Sequence, residues 1–213
     1  MDRRIAEDEG IGGRFDGFLL SIEKGRALGG IRNVEASEIL RRSQSANREE
    51  QEKALAEYAR ERGCLFRLDS IRQNLKYLDK GGESEVYLDT DGKHVIKVTS
   101  YFMSDTPLEF LINRITLHNA VFPDTAYELV GFCYSHGENG TELCFITRQP
   151  FIEGGEPAPE EIYEYMECRG YRRAKNVASF VSDIYKITDL APNNFVKGND
   201  GELYCIDSII YLR

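Results

Sequence analysis

Residues 187–207 read ITDLAPNNFVKGNDGELYCID, and the fold turns on this stretch. Asp189 and Asn194 stand five apart, joined by a short polar segment that holds Pro192. Phe195-Val196-Lys197 and Leu203-Tyr204-Cys205-Ile206 are brief apolar runs flanking Gly198-Asn199-Asp200-Gly201, the pattern of a tight hairpin. Such a hairpin returns Asp207 toward Asn194 and brings Asp189, Asn194 and Asp207 to one small space. Two carboxylates and an amide carbonyl are hard oxygen donors. They suit one Mg²⁺ or two, with the remaining carboxylate left to orient a hydroxyl. The competing reading is that Asp and Asn here only shape turns.

Upstream, Leu75 to Val98 changes to strand periodicity. Leu75-Lys76-Tyr77-Leu78 leads into Asp79-Lys80-Gly81-Gly82-Glu83-Ser84-Glu85, then Val86-Tyr87-Leu88, a type I′-like turn at Asp89-Thr90-Asp91-Gly92, and His94-Val95-Ile96-Lys97-Val98. Alternation points Lys97 away from the side of Ile96 and Val98, either to solvent or into a cleft where it meets an anion. The glycine-bearing turn lies beside it in an antiparallel sheet. There, Gly81 and Gly82 let backbone amides approach phosphate oxygens. Thr106-Pro107-Leu108-Glu109 opens a helix with an N-cap and a proline at its first position. Glu109 either pairs with Lys97 or complements the helix dipole.

Two further strands span 126–134 and 143–147. The second gives way to Gln149-Pro150-Phe151-Ile152 and a glycine hinge at Gly154-Gly155, whose freed backbone groups suit the edge of an adenine. Residues 160–169 predict a helix ending at Gly170. Before all this, residues 1–47 are charged, with apolar patches at Phe15, Phe18, Leu19 and Leu20 and at Ile39 and Leu40. Arg48–Arg62 carries a stripe of Ala54, Leu55, Tyr58 and Ala59 and ends at Gly63, a helix with a structural or contact role.

The chain of 213 residues suffices for one domain with a core and an appendage. A net charge of −9 argues against nucleic acid or an anionic membrane as the main partner. No apolar run approaches a membrane span, and the start shows no signal-peptide core, which reads as cytoplasmic. Five cysteines in mostly apolar surroundings fit a reducing compartment, and the three histidines show no metal-ligand spacing.

In order and spacing, the landmarks from Leu78 to Asp207 resemble the protein kinase fold. They most closely resemble the compact serine/threonine/tyrosine kinase-like domain of polyvalent proteins. The resemblance implies an α+β, two-lobed fold with an antiparallel N-lobe sheet and a strongly reduced C-lobe. Residues 1–70 become a helical extension and 71–213 the kinase-like domain, with the N-lobe at about 71–148, the hinge at about 149–155 and the C-lobe at about 156–213. GGESEVY matches the glycine loop, with Ser84 where a third glycine is expected. Gly81, Gly82, Ser84, Val86, Lys97, Gln149 and Phe151 become nucleotide contacts. Lys97 and Glu109 become the phosphate-holding pair, Asp189 the residue that orients the acceptor, and Asn194 and Asp207 the metal ligands.

Ile187-Thr188 and Ser208-Ile209 depart from the family's usual neighbours of the two aspartates, and six residues follow Asp207, with no activation segment. The implied function is an ATP- and Mg²⁺-dependent phosphotransferase acting on a hydroxyl of a protein or small molecule, with the N-terminal helices available for protein contact. The alternative is a catalytically inactive, pseudokinase-like nucleotide-binding or interaction module.

Overall fold

A computed structural model describes residues 47–137, 140–175 and 179–213; the apolar patches before residue 47 lie outside them. Helix α1 (Arg48–Glu61) starts where the Asn47 side chain accepts the Glu50 amide and ends before Gly63 at φ 64°. Strand β1 (Leu65–Phe66) and helix α2 (Leu68–Asn74) follow. Then come β2 (Lys76–Lys80), β3 (Ser84–Leu88) and β4 (His94–Thr99).

A helical rod comes next. It comprises α3 (Pro107–Phe110), a π-helical turn (Leu111–Thr116) and α4 (Leu117–Val121). Strands β5 (Glu128–Gly137) and β6 (Gly140–Pro150) complete a six-stranded sheet in the order β1-β5-β6-β4-β3-β2. It is antiparallel except at the edge, where β1 runs parallel to β5.

Strand alternation gives this sheet two apolar faces. Leu129, Phe132 and Phe145 pack against α1 and the rod, whereas Val130, Cys133, Cys144 and Ile146 pack against α2. Residues 48–70, expected to belong to a helical extension, therefore enter the sheet's core. Within α1, Leu55, Ala56, Tyr58 and Ala59 are buried, so Ala56 takes the place expected of Ala54. Gly131 shows how tight the contact is: a Cβ there would lie 2.3 Å from the Cys64 carbonyl oxygen.

The turn between β3 and β4 departs from the type I′ expectation. Only Gly92 has a positive φ (65°), and its amide closes onto the Asp89 carbonyl. A type I′ turn needs two successive left-handed residues.

The lower half holds helix α5 (Pro159–Cys168) and two small sheets. One sheet joins β8 (Arg172–Arg173), β9 (Ser179–Val181), β10 (Tyr185–Thr188) and β13 (Ile209–Leu212). The other joins β7 (Gly154–Gly155), β11 (Phe195–Gly198) and β12 (Leu203–Cys205). Met166, Phe180, Ile187, Phe195 and Ile210 form its core with Val121 and Phe122 of the rod's end. The expected hairpin is present: Phe195 faces Cys205, Lys197 faces Leu203, and Gly201 supplies φ 86°. Cys133, Cys144 and Cys205 are buried thiols within strands.

Candidate functional site

The hairpin decides where Asp207 goes. After it, the amides of Ile206 and Asp207 donate to the Asn194 carbonyl at 2.8 and 3.3 Å. Asn194 ends a 3₁₀ turn (Pro192–Asn194), and its side-chain amide donates to the Asp189 carbonyl at 2.6 Å. Asp189, directly after β10, adopts φ 63°, a left-handed conformation that only short polar side chains and glycine take readily. The three oxygen-bearing residues thus converge. Desolvation and then the charge of Asp207 push the Asp189 carboxyl above its ordinary range, while Arg114 and Asn194 pull the other way. Asp189 is exposed, so water screens that shift.

Lys97 comes to the same place from the sheet. Opposite in direction to Ile96 and Val98, it points into the space between the halves and is 7 % exposed. Its ammonium donates to the Ile206 carbonyl at 2.8 Å and to the Tyr127 hydroxyl at 3.2 Å. Tyr127 donates to the same carbonyl at 2.7 Å. Burial lowers the pKa of Lys97, and the charge of Asp207 opposes that shift.

The expected partnership of Lys97 with Glu109 is not formed. Glu109 is used at the start of α3, where its amide donates to Thr106 Oγ1 and its carboxylate accepts the Asp105 amide at 2.7 Å. A capping acid in the first helical turn satisfies backbone donors there and has no reach left for the sheet. The rod instead turns a cation toward the cleft. Arg114, in the π-helical turn and 7 % exposed, contacts Glu83 at 2.8 Å and Asp207 at 3.4 Å. Arg114, Glu83 and Tyr127 were missed from the sequence. The signal for Arg114 was a basic residue inside the stripe Pro107, Leu111, Arg114, His118 and Val121, all of which are buried.

A cavity of about 330 Å³ opens beside Lys97, within the range of small-ligand sites. Gly81, Ser84 and Val86 line it from the glycine-bearing turn, Gln149 to Ile152 from the strand end, and Asn194 and Asp207 from the floor. Gly82, Glu109 and Asp189 are not among the lining residues. Two of the expected contacts have other bonds. The Ser84 hydroxyl meets Thr99 Oγ1 at 2.8 Å, and the Gln149 amide donates to the Thr125 carbonyl at 2.6 Å. The Phe151 amide, expected to be available to an adenine edge, donates to the Lys93 carbonyl at 2.9 Å.

One cluster of metal-binding side-chain types lies elsewhere. Asp89, Asp91 and His94 hold their ligand atoms within 4.8 Å of one another. The buried Arg148 guanidinium sits among them, at 2.7 Å from Asp89, 2.6 Å from Asp91 and 3.1 Å from Glu128. A fixed cation there already supplies the charge that an ion would bring, and it braces β6 just before the segment lining the cavity.

Comparison with curated proteins and with solved structures gave no match. Comparison with family patterns gave one, in agreement with the α+β, protein-kinase-like architecture. By that match, which runs over residues 48–213 and so takes in α1 as well as the cleft, the chain belongs to the family described as serine/threonine/tyrosine kinase found in polyvalent proteins.

Proposed function

We propose that the chain is an ATP- and Mg²⁺-dependent phosphotransferase that acts on a hydroxyl of a protein or small molecule. The observation that carries this reading is a single cavity bordered by Lys97 from the sheet and by Asn194 and Asp207 from the hairpin. Nothing in local sequence requires residues more than 90 positions apart to share one space, whereas phosphate transfer does. The donor set fits Mg²⁺: a carboxylate and an amide oxygen are hard ligands, and Asn194 commits its NH₂ to the Asp189 carbonyl. Asp207 and Asn194 would hold the ion, which when bound supplies charge neutralisation at the phosphate oxygens.

The protein's own part is positioning. Lys97 holds the inner phosphates. Gly81, Gly82, Ser84 and Val86 cover the nucleotide, and Gln149 and Phe151 flank its base. Asp189 orients the acceptor hydroxyl and accepts its proton; desolvation and the charge of Asp207 raise its pKa, which strengthens it as a base. Charge placement and alignment account for most of the rate in such a scheme.

Transfer from γ-labelled ATP, followed both onto the protein and as released phosphate, tests this. Asp207→Asn is expected to lower the rate by about 10²-fold or more with the circular dichroism spectrum unchanged. Asp189→Asn, which tolerates the left-handed backbone, is expected to lower it with nucleotide binding retained. Equal labelling by wild type and Asp189→Asn would reject the role given to Asp189.

One observation favours the non-catalytic alternative. Lys97 has no acidic partner on the rod, and its ammonium already has two oxygen acceptors. A pseudokinase-like module would show no label transfer above the Asp207→Asn background.

A further inference from the structure

Arg114 has no counterpart among the residues assigned above. It leaves the rod at the π-helical turn and, beside the cavity rather than lining it, touches two carboxylates: Glu83 of the turn between β2 and β3, and Asp207, which does line it. It thereby tethers the glycine-bearing turn to the metal-binding end. The turn's backbone is separately fixed, since the Gly81 amide bonds the Ser84 carbonyl and the Ser100 amide bonds the Glu83 carbonyl. The Glu83 side chain is therefore not needed to shape the turn. Desolvation, with Asp207 and Asp189 nearby, raises its pKa against the pull of Arg114, so the carboxylate sits where negative charge is already crowded.

A guanidinium gripping carboxylate oxygens offers the same planar donor fork that phosphate oxygens take. Resting on the phosphotransferase reading, we propose that Arg114 is a second phosphate-binding cation of this cleft and that Glu83 occupies it until a polyphosphate displaces it. The incoming phosphates repel Glu83 and satisfy Arg114 in its place. Release of the tether lets the glycine-bearing turn settle over them. Glu83 thus competes with the ligand, and its neutralisation tightens binding.

Calorimetric titration of magnesium tripolyphosphate, which has no base, into the full chain tests this. Glu83→Gln is expected to bind about tenfold more tightly than wild type, within the ordinary range of site-to-site coupling. Adding Arg114→Lys, which keeps charge and loses the fork, is expected to abolish that gain. Glu85→Gln is the control for net charge, because Glu85 pairs with Arg72 at 2.6 Å. Equal affinity in wild type and Glu83→Gln, no binding by either, or an equal gain in Glu85→Gln would each overturn the proposal. A tenfold gain without label transfer from ATP would reject phosphotransfer and leave the Arg114 site standing. Label transfer with no gain would do the reverse.

Discussion

At the scale of single residues, polar groups are buried around Asp207, His118 among them. Fully buried, it bonds Ser208 Oγ at 2.9 Å beside Asp207 and packs against the Tyr127 and Phe122 rings. Burial pushes its pKa down to about 4, with Lys97 lowering it further and Asp207 opposing the shift. A depressed folded value means that the stability from neutral His118 is complete above the unfolded value near 6.5 and is lost as pH falls toward 4. The unfolding free energy from urea melts is expected to fall more between pH 7 and pH 4 in wild type than in His118→Gln, by up to about 3 kcal/mol over the window. Parallel curves would show that His118 is not the group responsible.

The residues whose placement was legible were those whose spacing is local. Asp189, Asn194 and Asp207 are joined by one 3₁₀ turn and one hairpin, and Lys97 follows from alternation along a single strand. The Arg114–Glu83 contact was not legible, because it joins positions far apart in sequence. Glu109 looked like the partner of Lys97 because a first-turn acid serves a cap and an ion pair equally well in sequence; the structure assigns it to the cap.

At the scale of elements, the rod owes its direction to a π-helical turn, where the Thr116 hydroxyl also reaches the Leu111 carbonyl at 3.0 Å. Widening the helix there rotates Arg114 relative to a regular α-helical path. The rod is further steadied by α1, whose Gln51 side chain accepts the Leu108 amide at 3.1 Å. The helical period of α1 was readable in sequence. Its burial was not, because the surface it covers belongs to β5 and to the rod, 50 to 80 positions further on. Gly131→Ala tests that packing. The added methyl would meet the Cys64 carbonyl oxygen at 2.3 Å and a Phe66 ring carbon at 2.5 Å. It is expected to cost about 1–3 kcal/mol in chemical denaturation, the usual range for overpacking. Gly82→Ala, whose Cβ would meet nothing within 4 Å, is expected to change stability by less than about 0.5 kcal/mol. Equal effects of the two would mean that β1 is not integral to the sheet.

At the scale of the molecule, two halves with separate cores enclose one cleft, and the hairpin of the lower half sets its floor. Among the described residues no helix is long and apolar enough to cross a membrane. In the proposed phosphotransferase, Lys97 and the oxygens of Asn194 and Asp207 face a nucleotide. A ligand bound only by the folded state raises apparent stability, by about 2.7 kcal/mol at a hundred times its dissociation constant. The direct measurement is therefore the thermal unfolding midpoint against Mg²⁺-ATP concentration, for wild type and for Lys97→Met. A midpoint that climbs with concentration in wild type and stays flat in the variant is the predicted result. A flat wild-type curve, or an equal climb in both proteins, would contradict it.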